Sequence, residues 1–377
     1  AVLVSAEVAR RRAAVCHEGK VMHLFPSYRV RDLPTLQAGA GNLQDFVLQR
    51  KMMNGSMSGT QSLLQGLLNP PPVAAMEATI ASLQQLHALT PEGILSPLGR
   101  LLSRIPVPPV VAKLLFWGAA LRVLKPVAVL AAFLSTKSPF IQGPEAENGK
   151  LDYHPECQSD HFALIQAYAG WQVAEKKNDI TYCTRHSLSA DSLEMTQLLA
   201  TQLVSLMMDV GYDGPDVQRG NVTTYSELPR MEPGSTDLAL LNSCIAAAFH
   251  PNTLHIKTGK TTTFMDSTGV SVPSHLTSLH SSTTKPYPSP CLIHSASHSV
   301  LHGITEATMV ESTYLALFCN SIRVNGTQVW IDGWQAHAPA AQSWDDLFVF
   351  RQKVMQSFQA CVSERNFALF PDEMVDE

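Results

Sequence analysis

His294, His298 and His302 fall four residues apart, a spacing that would line up three imidazoles as metal ligands along one face of a helix. The surrounding CLIHSASHSVLHG reads as β structure, which splays the three rings; no acid is placed with them, and its one cysteine, Cys291, falls outside the four-residue step. No metal site is assigned. Asp160-His161 has the residue types of an acid–base couple. Both stand at the start of a helical pattern, however, where an acid is explained by the helix dipole and the free N–H groups of the first turn. Phosphate chemistry would need a GxxxxGK[ST] loop or a DExH magnesium box, and neither occurs in the 377 residues. What remains are cations. Arg10, Arg11 and Arg12 with Lys20 make the densest basic cluster, and Arg100, Arg104, Lys113, Arg122 and Lys125 make a second. Either could meet an RNA backbone or an acidic protein surface. A frayed terminal segment for the first, and a solvated helix face paired with acids for the second, are the competing readings.

The charge pattern sets the second cluster apart from the acidic block beyond it. The net charge is −5, which argues against a chain that coats itself in nucleic acid. Between Leu98 and Phe140 there are six Lys/Arg and no Asp or Glu, whereas Pro144 to Asp216 holds twelve acids against four bases. Hydrophobic residues at 45% and charged residues at 16% mark a globular chain, long enough for about two to four domains. Seven scattered cysteines, with no CxxC pair, point to reduced, structural thiols in an intracellular protein. The most apolar run, Val107 to Phe133, is broken by Lys113, Arg122 and Lys125. It therefore reads as a buried helix pair and not as a membrane span. The first residue is alanine, with no signal-peptide pattern, which leaves open a fragment or a processed product.

The elements that must position these residues begin with a short strand around Val21 to Phe25. A helical stretch comes next, interrupted at Gly55 and Gly59. In NPPPVAAMEATIASLQQLHAL, Asn69 can cap, the prolines occupy the first turn, and Val73, Met76, Ile80, Leu83 and Leu86 recur at helical spacing. Ser96-Pro97 opens a helix from Leu98 to Ile105. VPPVVAKLLFWGAALR and PVAVLAAFLS predict two more, joined near Pro126. Ser159, and then Ser189 or Asp191, cap two further helices with periodic apolar faces. After Gly220 the chain turns to Thr, Val and Ser, with the hairpin signal Asn325-Gly326. This predicts an all-β module of about five strands, a small OB-type barrel. A helix from Ala341 to Phe358 closes the chain.

These segments, in this order, resemble the C-terminal half of the DEAH/RHA group of RNA helicases, closest to the RNA helicase A branch. NPPPVAAMEATIASLQQLHAL with LSPLGRLLSRIPVPPVVAKLL is similar to that family's winged helix. AVLAAFLSTKSPF and SDHFALIQAYAGW are similar to its ratchet-like helical domain, and AAAFHPNTLHI, KPYPSPCLIH and TQVWIDGW to its OB-fold. The resemblance covers roughly residues 16 to 340. It implies a multidomain, mostly α chain with a β-barrel: a remnant of the second RecA-like α/β domain over 1–40, a winged helix over 41–112, a ratchet-like bundle over 113–235, an OB-fold over 236–340, and a terminal helix and tail over 341–377. It also puts the loops bearing Lys257, Lys260, Thr261, Thr262 and Lys285 near an RNA exit path, where lysines and hydroxyls contact phosphates.

Two departures accompany the resemblance. GKVMHLF is similar to the strand after motif VI, Gln-Arg-x-Gly-Arg-Ala-Gly-Arg, which places that motif on Val8 to Val15. Arg12 keeps the middle arginine, while Ala9 and Val15 stand at the first and last. Phosphoryl transfer needs fixed cations against charge on the γ-phosphate, and alanine and valine supply none. Gln202-Leu203 is preceded by Ala200 where the family tends to carry an arginine.

The expected catalytic set is accordingly empty. ATP and magnesium enter only if an intact helicase core exists, and no cofactor is assigned to this chain. The first expectation is a helicase-derived RNA-binding scaffold of a ribonucleoprotein or assembly particle, mitochondrial or nuclear. The alternative is the C-terminal portion of an active ATP-dependent 3′-to-5′ RNA helicase. A third is a protein-docking adaptor, because the family's winged helix and OB-fold receive G-patch-like proteins. RNA, ribonucleoprotein subunits or such a protein are the expected partners, and a membrane is not.

Overall fold

The computed structural model describes residues 14, 40–53, 70–141, 150, 153, 158–213, 228, 235–257, 262–266, 269–275, 278–281, 287, 289, 291–295, 303–304, 306–325, 328–336, 344–367 and 370–371. Ala9 to Arg12, Val15, Lys20 and the strand expected around Val21 to Phe25 lie outside these residues, as do Lys260, Thr261, Lys285, His298 and His302. The chain divides into two compact units, residues 1–84 with 89–95, and residues 85–88 with 96–377.

The first unit holds α1 (Ala40–Met53) and α2 (Val73–Gln85). Three prolines precede α2, and the Pro72 carbonyl receives the Ala75 and Met76 amides at 2.9 and 3.1 Å. The face of Met76, Thr79 and Leu83 is buried, as the i, i+3, i+7 spacing requires. Gln44 Nε2 of α1 donates to Ser82 Oγ of α2 at 2.8 Å. Beyond α2, Leu89 and Leu95 form an antiparallel bridge around Gly93, whose φ of 76° suits glycine.

The second unit begins with α3 (Pro97–Leu102), capped by Ser96, whose Oγ accepts the Gly99 amide at 2.9 Å. The helix stops short of the expected Ile105, in tight turns just before Pro106, which disfavours helical backbone in its predecessor. α4 (Pro109–Ala120) and α5 (Leu124–Ser135) come next. Their joint is not at Pro126 but at Leu121–Val123, where Arg122 takes φ 58°. Pro126 sits in the first turn of α5, where a missing N–H costs nothing. α4 is apolar almost all round, and every residue from Val111 to Ala120 is buried. It touches α5 so closely that a Cβ on Gly118 would lie 2.7 Å from Val127 Cγ1.

α6 (Asp160–Lys176) and α8 (Ala190–Val210) pack on α5, the short α7 (Tyr182–Arg185) lies between them in sequence, and α9 (Thr236–Phe249) packs on α4. Ala200, on the inner face of α8, is fully buried. α11 (Trp344–Glu364) returns to α4, where Phe358 stacks on Trp117 with ring centroids 3.9 Å apart.

The β region is richer than five strands. β1 (Thr253–Lys257), β2 (Thr263–Met265), β3 (Ser271–Val272), β4 (Cys291–His294) and β5 (Ala307–Met309) form an antiparallel sheet in the order β3-β2-β1-β4-β5. Its core is Leu254, Ile256, Phe264, Leu292, Ile304 and Ala307. After α10 (Ser312–Phe318), a second sheet forms from β6 (Ile322–Asn325), β7 (Gln328–Ile331) and β8 (Trp334–Ala336). Asn325 pairs with Gln328, so two residues close the hairpin that Asn325-Gly326 signalled. Among the described residues the first sheet has five strands and no continuous ladder that closes it into the expected barrel. Its two edges meet at one parallel bridge, Ser274 to Ile304, with the Ile304 amide on Pro273 O at 2.9 Å and the His275 amide on Ile304 O at 2.8 Å. The all-β expectation after Gly220 is corrected at two helices, α9 and α10. In STYLALF of α10, Thr and Tyr favour strand, but Leu315, Ala316 and Cys319 bury at helical spacing. No helix among the described residues is long and apolar enough to cross a membrane.

Candidate functional site

The basic residues separate by burial. Arg100 on α3 and Arg104 just after it are exposed, and Lys257 is exposed at the end of β1. Arg122 and Lys125 are half-buried. Lys113 is buried, and burial lowers its pKa to about 8. Its expected place on a basic surface is corrected: α4 is enclosed on all sides, so Lys113 presents no charge to a polyanion. No group of His, Cys, Asp and Glu able to hold a metal occurs among the described residues.

Two polar joints organise the second unit. At the first, Asp160 opens α6 and is fully buried. Oδ1 accepts from Lys150 Nζ at 3.0 Å and from the Leu279 amide at 2.9 Å. Oδ2 accepts from Ser278 Oγ at 2.6 Å and from the Ala307 amide at 3.1 Å. Burial opposes the charge, yet Lys150, His280 and these donors outweigh it and hold the carboxyl below its ordinary range. Four donors use the lone pairs of both oxygens, so Asp160 is a structural anion with no capacity left for proton transfer.

Its neighbour completes the joint. His161 Nδ1 and Ser159 Oγ each lie 2.7 Å from Thr308 Oγ1 on β5. Ser159 Oγ also caps α6 by accepting the Phe162 amide. His161 stacks on Phe249 of α9, and burial drives its pKa down to about 4. His280 donates from Nε2 to the Ala307 carbonyl at 3.2 Å, which makes Nδ1 the acceptor for Tyr287 Oη at 3.1 Å. The couple that looked like a cap-and-dipole pair thus fastens a helix to a sheet. The cap was legible in the sequence. The partners Ser278, Leu279, Ala307 and Thr308, more than a hundred residues away, were not.

The second joint lies where α9 meets β1. His250 Nε2 is 2.6 Å from Asp332 Oδ2, and the Ser321 and Asn320 amides add hydrogen bonds to the same carboxylate at 2.8 and 3.3 Å. Burial raises the Asp332 pKa, but His250 and these amides outweigh it and the net shift is downward. Alternation along β1 sends Leu254 and Ile256 into the core, while His255 stacks on Trp334 at 4.8 Å and 8° between planes. On the outer side of the three-stranded sheet, an open groove of about 650 Å³ is lined by Ser321, Arg323, Trp330, Asp332 and Gly333. TQVWIDGW carried the likeness to an OB-fold, and neither Arg323 nor Trp330 was singled out in the sequence. Their signal was the alternation Val329-Trp330-Ile331, which turns a tryptophan outward.

Comparison with known families agrees with this layout. The winged-helix part of the helicase associated domain (HA2) matches residues 80–107, and its ratchet-like part matches residues 108–164. The Arabidopsis thaliana protein named DExH-box ATP-dependent RNA helicase DExH1 is 30% identical over 264 residues, covering 68% of this chain and 25% of its own length. Human DHX57 is 29% identical, covering 65% of this chain and 19% of its own. The human ATP-dependent DNA/RNA helicase DHX36 is 27% identical, covering 67% and 25%. The chain thus spans between about a fifth and a quarter of these relatives' length.

Proposed function

From a chain that belongs to the DEAH/RHA-type DExH-box RNA helicases, and carries their helicase-associated winged-helix and ratchet-like domains, we infer an RNA-engaging module without hydrolytic chemistry of its own. The observation that carries this reading is the unbroken run of the two helicase-associated matches from residue 80 to 164. It ends inside α6, the helix fastened to the five-stranded sheet through Asp160. A module built this way holds RNA on a fixed surface, and exposed Arg100, Arg104 and Lys257 supply cations for phosphates. The strand order and the Ser274–Ile304 bridge support an OB-type sheet. The boundaries 1–40, 41–112, 113–235, 236–340 and 341–377 go with that division.

The finer reading is a helicase-derived scaffold of a ribonucleoprotein, in an intracellular compartment, with RNA and ribonucleoprotein subunits as partners. Ala9 and Val15, at the arginine positions of motif VI, favour it over a working motor, because neither can stabilise charge on a transferring phosphoryl group. ATP hydrolysis by the full-length native protein, with and without single-stranded RNA, beside Ala9→Arg/Val15→Arg, tests this. RNA-stimulated turnover in the native protein overturns the scaffold and leaves an ATP-dependent helicase. Salt-independent or absent RNA binding overturns RNA engagement itself and favours a protein adaptor.

A further inference from the structure

We propose that Arg323 and Trp330 form a stacking subsite for a base of single-stranded nucleic acid, a proposal that rests on the RNA-engaging reading above. Arg323 on β6 stands directly opposite Trp330 on β7. Val329 and Ile331 are buried, whereas Trp330 keeps 37% of its surface exposed. A large ring thus stands on its strand with part of its surface open to solvent. Both side chains line the open groove beside Ser321, Asp332 and Gly333.

The groove's chemistry fits a nucleotide better than a peptide anchor. An indole offers a π-face to any base, and a guanidinium beside it offers a cation to the adjoining phosphate. Asp332, the acid in the wall, does not oppose this. Its oxygens are taken up by the Ser321 and Asn320 amides, Ser321 Oγ and His250, so its charge is turned into the frame. Gly333, at φ 88°, has nothing within 4 Å of where a Cβ would stand, which leaves that side of the groove open. The same sheet is tied to β1 by the His255–Trp334 stack.

The test compares a short fluorescein-labelled oligouridine with an abasic strand of the same length, both titrated against the full chain. Trp330→Ala and Trp330→Thr weaken the oligouridine about tenfold, while binding of the abasic strand is unchanged. Trp330→Phe keeps most of the affinity but loses part of the tryptophan quenching seen in the native protein. Arg323→Gln lowers the salt slope of binding by about 0.7. If the native protein binds the oligouridine and the ring-less variants bind it equally well, the subsite is overturned and RNA engagement stands. If the native protein binds neither strand, RNA engagement falls and the subsite falls with it.

Discussion

The Asp160 carboxylate accepts the Ala307 amide at 3.1 Å, across 147 residues of chain. One residue earlier, Ser159 forms an isolated bridge with Thr308, so the start of α6 runs alongside β5 as though it were a further strand. A helix N-terminus attracts anions through its unpaired amides. Here the anion is the helix's own first residue, and its oxygens gather donors from outside the helix, among them the Ala307 amide of β5. Desolvating that carboxylate is offset only because Lys150, Ser278 and two amides all converge on it.

Removing Asp160 therefore costs more than one contact. Asp160→Ala leaves a buried ammonium, a hydroxyl and two amides without their acceptor, and a loss of about 3–5 kcal/mol is expected. Asp160→Asn keeps one acceptor oxygen but turns an amide toward the remaining donors, so it falls between the two. Urea denaturation measures both, and hydrogen exchange at the Leu279 and Ala307 amides locates the effect. Unchanged protection at those amides in Asp160→Ala would contradict the joint.

Acid acts on the same joint through His161. Its folded pKa of about 4 lies below the ordinary 6.5, so the unfolded chain takes up a proton first as pH falls. Stability from keeping this ring neutral is whole above pH 6.5 and declines down to about pH 4, by up to about 3 kcal/mol. Asp160, whose pKa is lowered from 3.8, contributes stability that persists through this window and is lost only at still lower pH. His161→Asn, which can keep a hydrogen bond to Thr308, flattens the decline. The slope that remains belongs in part to His280, also held low by burial. Denaturation midpoints between pH 7 and pH 4 read this directly.

Much of the helical framework was legible, because caps and periodicity are local. Ser96, Ser159 and Ser189 each accept an amide of the first turn of their helix. The error at Pro126 came from treating proline as a stop, when its place in a first turn makes it a start. STYLALF was misread because a seven-residue helix is too short for its period to outweigh Thr and Tyr. The sites were less legible. Lys113 looked like a surface cation because charge alone does not say which way a residue on an apolar helix faces. Asp160 draws its role from Ser278, Leu279 and Ala307, far along the chain, and the outward turn of Trp330 was signalled by alternation while its pairing with Arg323 was not.

The buried lysine gives a prediction with the opposite sign from most core substitutions. Lys113 has a folded pKa of about 8 against an ordinary 10.5. Below pH 8 it is charged in both states, and the folded protein carries the whole cost of burying that charge. Above pH 8 the folded form gives up its proton first and the cost fades toward pH 10. Lys113→Met, similar in length and free of charge, is therefore expected to stabilise by about 3 kcal/mol at pH 7, with the gain shrinking as pH rises. Thermal unfolding at pH 7 and pH 10 checks both the sign and the convergence.

Lys113 also sharpens the test of the basic surface. Arg100 and Arg104 are exposed, so each can lie against a phosphate, and each phosphate contact releases counterions on binding. Arg100→Gln and Arg104→Gln should each weaken single-stranded RNA uniformly across sequences and lower the salt slope by about 0.7. Lys113→Met should leave both affinity and slope as they are, because its charge is enclosed. Fluorescence anisotropy over a range of salt concentrations separates the three variants. If Lys113→Met lowers the slope while the two arginine variants do not, the phosphate track runs along a face of α4 that the folded chain keeps covered, and α4 must open to bind.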